Sequence, residues 1–332
     1  MTGFALYPIA RFFMFNPLQA ISQMPFRAMY GVARLRQEIV GLAQDFWKDG
    51  HWEREPDNLD GLDASPSDVA PPPVPQKNRP RDDLWHAMPG EISEKMWGPL
   101  CVTPGDVEIT EELIVPLGIN KDMNILDLSA GLGSRLRKTV DEFGAYIDGF
   151  EPDAGIAQRG MELSKASGHG KHVIIRHYDP MNLASPRSYD CVISRETIYR
   201  VADKQRFVQS VAACCKKKAQ ISFTDYVVDP ECRDHPAIAA WMEVEKGANP
   251  PSLVEMAGLW AKAGFTLRVH DDQTDYYMKE VLRGLARFLA FINTVDPTPE
   301  TQAAVRKRLK TWTYRLGAFQ AGMKFYRFYA MR

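Results

Sequence analysis

Through the middle of this chain short apolar runs alternate with turns and with stretches whose apolar residues recur at helical spacing. Residues 124–128 (Asn-Ile-Leu-Asp-Leu) predict a buried strand, and a turn holding Gly131 and Gly133 leads into a helix beginning near Arg135. Further apolar runs at 145–150, 173–178, 189–194 and 219–224 predict four more strands, with a helix from about 203 to 215 before the last. Strands alternating with helices in this way predict an α/β fold built on a mostly parallel sheet.

The ends of the chain follow a different pattern. Residues 1–52 crowd Phe4, Leu6, Tyr7, Ile9, Phe12, Phe13, Met14 and Phe15 at the start. Ile21, Met24, Met29, Val32, Leu35, Ile39, Leu42 and Phe46 then recur at helical spacing among Arg27, Arg34 and Arg36. This predicts an amphipathic helical arm. Residues 53–83 are rich in Pro and Asp and bury too little apolar surface to offset the entropy of ordering, so they predict a flexible linker. Residues 84–332 then form the main domain. Its last part, 279–332, carries an excess of Lys and Arg mixed with Trp312, Tyr314, Phe319, Phe325, Tyr326, Phe328 and Tyr329. Such a mixture suits either an anionic membrane surface or helices that close over the main domain as a lid, and the lid is preferred.

Composition narrows the classes. The chain has 332 residues, 45% of them hydrophobic, enough for one sizeable core with appendages. A net charge of −1 gives no sign of a nucleic-acid partner. Five cysteines, an odd number, argue against a disulfide framework and for a reducing compartment. No apolar run reaches transmembrane length and no cationic leader precedes a cleavage site, which predicts a cytoplasmic protein, peripheral at the inner membrane face if the arm binds there. For residues 1–52 a membrane surface and a protein partner are equal choices. His169, His172 and His177 have no metal-ligand spacing with cysteines, so no metal is expected. Cys214 and Cys215 read as packing late in a helix, and Lys216, Lys217 and Lys218 as complements to its C-terminal dipole.

The chemistry concentrates after the strands. Gly131 and Gly133 lack a β-carbon and tolerate positive φ, so the turn admits close approach of a ligand to the backbone. Glu151 ends the second strand, where an acid accepts hydrogen bonds from a ribose diol. Asp179 ends the third, with a plain alternative as a turn acid before Pro180; for Glu151 the alternative is a helix cap before Pro152. A nicotinamide dehydrogenase requires a third glycine, in Gly-x-Gly-x-x-Gly, and Leu136 stands at that place.

The order of acids Asp127, Glu151 and Asp179 after successive strands resembles the class I S-adenosylmethionine-dependent methyltransferases, with Ser129 replacing the first glycine of their motif. Residues 91–98, 102–105, 193–201 (Ile-Ser-Arg-Glu-Thr-Ile-Tyr-Arg-Val) and 223–226 (Phe-Thr-Asp-Tyr) look like the phosphoethanolamine N-methyltransferase and tocopherol methyltransferase group. The likeness covers about 84–265, with a weaker echo at 316–332. It implies a Rossmann-like fold with a mostly parallel seven-stranded sheet flanked by helices, and S-adenosylmethionine as cofactor. By motif, Asp127, Ser129, Gly131 and Gly133 flank its methionine part, Glu151 takes the ribose, Asp179 faces the adenine, and Val102, Thr103 and Arg195 complete the wall.

On the acceptor side the likeness breaks. The group's catalytic tyrosine and histidine fall on Trp85 and Arg200, and neither side chain moves a proton in the same way. Its phosphate site falls on residues 241–247 (Trp-Met-Glu-Val-Glu-Lys-Gly), where acids repel a phosphate. The candidate catalytic residues are therefore Glu196, Tyr199 and Tyr226. For Glu196 a surface ion pair with Arg195 or Arg200 is an equal reading, and Tyr276 and Tyr277 read equally as a packed strand pair. Together these features predict methyl transfer to a small-molecule or lipid-like amine or oxygen other than phosphoethanolamine. The alternative is a methyltransferase fold that has lost catalysis and serves as an assembly subunit.

Overall fold

A computed structural model describes residues 84–332 apart from Pro186 and Asn293. The predicted arm (1–52) and linker (53–83) lie outside the described residues. The main chain runs α1 (Glu91–Trp97), α2 (Asp106–Ile114), β1 (Asn124–Asp127), α3 (Ser134–Phe143), β2 (Tyr146–Glu151), α4 (Ala154–Ala166), β3 (Val173–His177) and β4 (Tyr189–Arg195). It continues through α5 (Lys204–Ala213), β5 (Cys215–Val227), α6 (Pro236–Val244), α7 (Leu253–Lys262), β6 (Thr266–Asp272), α8 (Thr274–Ile292), α9 (Pro299–Gln320) and β7 (Lys324–Met331).

The strands form one seven-stranded sheet in the order β3-β2-β1-β4-β5-β7-β6. Pairs from β3 to β5 are parallel and β7 is antiparallel to both neighbours. Side chains alternate between faces along a strand, so β1 sends Ile125 into one apolar cluster and Leu126 into the other, and both are fully buried. Helices are cut where the sequence supplies caps. The Asp153 carboxylate accepts the Ile156 N–H at 2.9 Å to open α4, and Ser252 and Glu255 make a reciprocal capping box on α7.

Strand order reverses beside β1, between β1 and β4, so the carboxyl ends of these strands bound a crevice where α/β sheets bind ligands. The glycine turn after β1 and the segment after β4 both open there.

Three expectations are corrected. Helix α5 stops at Ala213, and Cys215 already pairs with Tyr189 as the first residue of β5. Lys216, Lys217 and Lys218 therefore lie in the strand rather than after a helix, with Lys216 Nζ 2.7 Å from the Asp190 carboxylate. Tyr276 and Tyr277 are not a strand pair but lie in α8, whose buried residues Tyr277, Val281, Gly284, Phe288 and Ile292 recur at helical spacing. Residues 324–331 form a strand between β5 and β6, with Phe325 and Phe328 fully buried, so these aromatics face neither a membrane nor a lid surface. The period of two, apolar against amphipathic, was hidden by aromatics at nearly every position.

Candidate functional site

The turn after β1 is held by its own side chains. Asp127 Oδ1 accepts from the Ser129 N–H at 2.7 Å and from the Ser129 hydroxyl at 2.9 Å. The same hydroxyl oxygen accepts the Arg195 N–H at 2.8 Å and so ties the turn to the end of β4. Positive φ is confined to Gly131 (55°) and Gly133 (76°) within this turn, so Ser129 sits there without strain. Burial raises the Asp127 carboxyl above its ordinary range, opposed by Arg135 and the bonds from Ser129.

Both glycines are required sterically. A β-carbon on Gly131 would lie 2.6 Å from Val102 Cγ2, and one on Gly133 would lie 2.3 Å from Ile175 Cδ1. With the left-handed φ added, Gly133→Ala is expected to cost about 1–3 kcal/mol of stability. A urea titration measures this, and an unchanged midpoint would show that the turn relaxes around a methyl group.

Glu151 Oε2 accepts the Gly131 N–H at 2.9 Å and Oε1 accepts the Asp153 N–H at 2.9 Å. Each oxygen keeps a lone pair for a further donor. The residue is 8% exposed, and burial pushes its carboxyl up to about 7 against these two hydrogen bonds. Glu151 is thus not the cap of α4; Asp153 is. Asp179 is exposed and caps the short turn Pro180–Asn182, accepting from Met181 N at 2.9 Å and Asn182 Nδ2 at 2.6 Å. The turn-acid alternative therefore describes its present bonding.

Two residues that sequence reasoning missed, Asp106 and Arg135, fasten this side of the turn. Buried Asp106, the first residue of α2, accepts from Arg195 Nη1 at 2.6 Å and from Arg135 Nη1 through the same oxygen, while the Thr103 hydroxyl lies 3.2 Å away. Arg195 Nη2 donates to the Pro104 carbonyl at 2.7 Å, which fastens the 102–105 segment over the turn. Gly105 before Asp106 marks a helix start in the sequence, but nothing there points Asp106 at Arg135 and Arg195.

Beyond β4 the backbone of Glu196 is left-handed, with φ of 52°, and its N–H bonds the Thr224 carbonyl at 2.8 Å. A non-glycine residue held there stores about 1–3 kcal/mol, a cost found at functional sites. Its carboxylate is buried rather than paired on the surface: Tyr226 donates to Oε2 at 2.7 Å and Tyr277 to Oε1 at 2.9 Å. Burial foremost, and the Glu196 charge with it, raises both phenols well above their ordinary range, so they stay protonated donors. Asp225 is fully buried and accepts the N–H groups of Ile198 (2.6 Å), Tyr199 (3.2 Å) and Tyr226 (2.8 Å), which fixes the turn that follows Glu196.

Tyr199 is also brought to this cluster, its ring edge-on to Tyr226 at 4.7 Å between centroids and its hydroxyl 2.6 Å from Glu245 Oε1. Glu245 faces Arg315 of α9 and Arg200 (2.8 Å). Burial works to raise its carboxyl, but Arg315 outweighs it and holds Glu245 well below the ordinary range. The acid expected to repel a phosphate is therefore neutralised by two guanidinium groups. Trp85 is remote in bonding from this cluster: its indole N–H reaches Glu91 Oε1 at 3.1 Å and its ring packs on Phe291. Among the described residues no cluster of His, Cys, Asp or Glu has the makings of a metal site, and no helix is long and apolar enough to cross a membrane.

Comparison with known proteins agrees with this geometry. Residues 108–270 match a family model described as a methyltransferase domain. Phosphoethanolamine N-methyltransferase 1 of Arabidopsis thaliana is 23% identical over 197 residues, 58% of this chain but only 39% of that protein's length. Among solved structures, Haemonchus contortus phosphoethanolamine N-methyltransferase 2 with phosphomonomethylethanolamine and S-adenosylhomocysteine superposes with a TM-score of 0.63 at 17% identity, covering 72% of this chain and 56% of that one. Geranyl diphosphate C-methyltransferase of Streptomyces coelicolor A3(2) does so at 0.51 and 16%, covering 67% and 78%.

The residues present fit S-adenosylmethionine. The glycine turn is bare of β-carbons, Glu151 has lone pairs for a ribose diol, and the buried Arg195 Nε has no hydrogen-bond partner of its own. Residues 108–270 match a methyltransferase domain and carry the class I methyltransferase fold, in a chain that resembles the phosphoethanolamine N-methyltransferases and spans less than half the length of the Arabidopsis thaliana one.

Proposed function

We propose that this protein transfers a methyl group from S-adenosylmethionine to an amine or oxygen of a small-molecule or lipid-like acceptor other than phosphoethanolamine. The observation that carries the reading is Glu196: a strained, buried carboxylate, joined through its neighbour Arg195 to the glycine turn and held by two phenols. When bound, the cofactor supplies an electrophilic methyl on a sulfonium. Glu151 holds its ribose, while Asp127 and Ser129 set the turn against which its methionine part lies. Arg195, Arg135 and Thr103 stand at the carboxylate end of that part, with Asp106 holding both guanidinium groups in place.

Glu196 then orients the acceptor so that its lone pair faces the methyl carbon in line with the breaking bond, about 3 Å away, and positioning supplies much of the rate. The methyl of a bound S-adenosylmethionine would pass to the acceptor heteroatom, the electron pair of the carbon–sulfur bond remaining on sulfur. The proton that the acceptor gives up goes to Glu196, whose carboxylate Tyr226 and Tyr277 hold in position to receive it. Phosphoethanolamine is disfavoured because Arg315 and Arg200 are both engaged with Glu245, leaving their charge spent where a phosphate needs it.

The test is calorimetric titration with S-adenosylmethionine, followed by mass spectrometry of a metabolite and lipid extract incubated with enzyme and labelled cofactor. Binding together with a labelled product is expected. No cofactor binding at millimolar concentration refutes the reading, and binding without any labelled product points to an assembly subunit.

A further inference from the structure

The space beside Glu196 is filled by a side chain of the protein itself. Arg315, near the end of α9, is 3% exposed, yet each of its three nitrogens has a partner in this cluster. Nε bonds Glu245 Oε2 at 2.7 Å, Nη2 bonds the Tyr199 hydroxyl at 2.6 Å and Glu245 Oε1, and Nη1 bonds the Tyr226 hydroxyl at 3.2 Å and lies 3.6 Å from Glu196 Oε2. Its guanidinium carbon also stands over the rings of Trp312 (4.5 Å), Tyr226 (5.3 Å) and Tyr199 (5.7 Å). Two carboxylates, two phenols and three aromatic faces surround this guanidinium, with Arg200 sharing only Glu245 and Tyr199, and make a recognition site for a cationic ligand. With all three nitrogens engaged and its charge shared between Glu245 and Glu196, this guanidinium is not a free counter-ion for an anionic acceptor.

The docking of α9 also leaves defects. Trp312 meets Trp97 edge-on at 5.0 Å between centroids, and both indole N–H groups are buried without a partner. Each such donor costs about 1–3 kcal/mol, so the closed position of α9 is less stable than its packing alone gives.

We propose that Arg315 is a tethered stand-in for the methyl acceptor: α9 plugs the acceptor site with its own guanidinium, and the acceptor is an alkylamine that enters as its alkylammonium ion, displaces Arg315 and gives its proton to Glu196 before the freed lone pair attacks. The assignment of this cage as the acceptor site rests on the methyltransferase reading above; the cage as a cation site does not.

Arg315→Ala in the full chain tests both parts, with methylguanidinium as probe and thermal melting and calorimetry as readouts. Saturable millimolar binding to the variant, absent in the parent protein and in Arg315→Lys, is expected. A cage next to the reacting methyl must also sense the sulfonium charge, so methylguanidinium should bind about threefold or more weakly with S-adenosylmethionine than with neutral S-adenosylhomocysteine. A purely structural ion pair away from the cofactor lacks that difference. Should Arg315→Ala fail to fold around two buried carboxylates, of which Glu245 keeps Arg200, the double variant Arg315→Ala/Glu245→Gln removes one of them and keeps the aromatic walls and Glu196. No saturable binding to either variant overturns the cation site. Equal affinity with the two cofactors overturns its role as the acceptor site. Failure of S-adenosylmethionine to bind at all, with methylguanidinium still binding, overturns the methyltransferase reading instead.

Discussion

Replacing Glu196 with glutamine is expected to lower kcat by about 10²-fold or more, the usual loss when a positioned acid–base group is removed. Binding of S-adenosylmethionine should stay within about twofold, because the carboxylate contacts no element of the glycine turn directly and a transition-state role separates kcat from binding. Glutamine keeps the volume and one acceptor oxygen, so one of the bonds from Tyr226 and Tyr277 survives and the fold is preserved. Labelled methyl transfer into the product found in the extract measures the first quantity and calorimetry the second. Undiminished turnover would remove Glu196 from the chemistry and leave its left-handed backbone without a function.

The second large effect falls on the cofactor. Glu151→Ala removes the acceptor for the ribose diol and also orphans the N–H groups of Gly131 and Asp153. Two hydrogen bonds to a charged oxygen are worth about 1.5–3 kcal/mol each, so affinity for S-adenosylmethionine is expected to fall by about 10²-fold or more. A change of less than threefold would take the ribose off Glu151.

The same residue predicts a pH dependence, and its sign follows from burial. The Glu151 carboxyl is raised to about 7 and that of Asp225 to about 7, with desolvation the largest cause in both. An acid raised in the folded state binds its proton more tightly there than in the unfolded chain. Stability without cofactor should therefore fall as pH climbs from about 4.5 towards 7, and level off above that. Ribose hydroxyls donate to the ionised carboxylate, so cofactor affinity should rise with pH through about 7. Glu151→Gln is the control: the part of the pH dependence that belongs to this carboxyl disappears in it. A wild-type affinity profile that matches that of Glu151→Gln between pH 6 and 8 would refute the assignment.

The strand–turn–helix unit at 124–143 was legible because its determinants are local. Apolar runs set the strands, glycines mark the positive φ, and an acid at the end of β2 lies one βαβ unit further along. The end of α5 and the start of β5 were not legible, because apolar residues run through Cys214 and Cys215 and only pairing with Tyr189 decides which element owns them. Tyr276 and Tyr277 read as a packed strand pair or as loose neighbours of the methyl, and only the burial of Tyr277 with partners at helical spacing puts them in a helix.

By itself, then, the sequence determined the α/β order, the turn that carries the methyl donor and the acids that flank it, since each depends on residues within one or two consecutive elements. The acceptor side was decided only in three dimensions. Glu196, Tyr226, Glu245, Tyr277 and Arg315 come from five separate parts of the chain, and Tyr226 and Arg315 are 89 positions apart. No spacing rule joins residues so distant. Their meeting is set by the antiparallel return of β7 beside β5, which draws α8 and α9 onto the carboxyl edge of the sheet. Burial there turned a glutamate that could have been a surface ion pair into the centre of a closed polar cage.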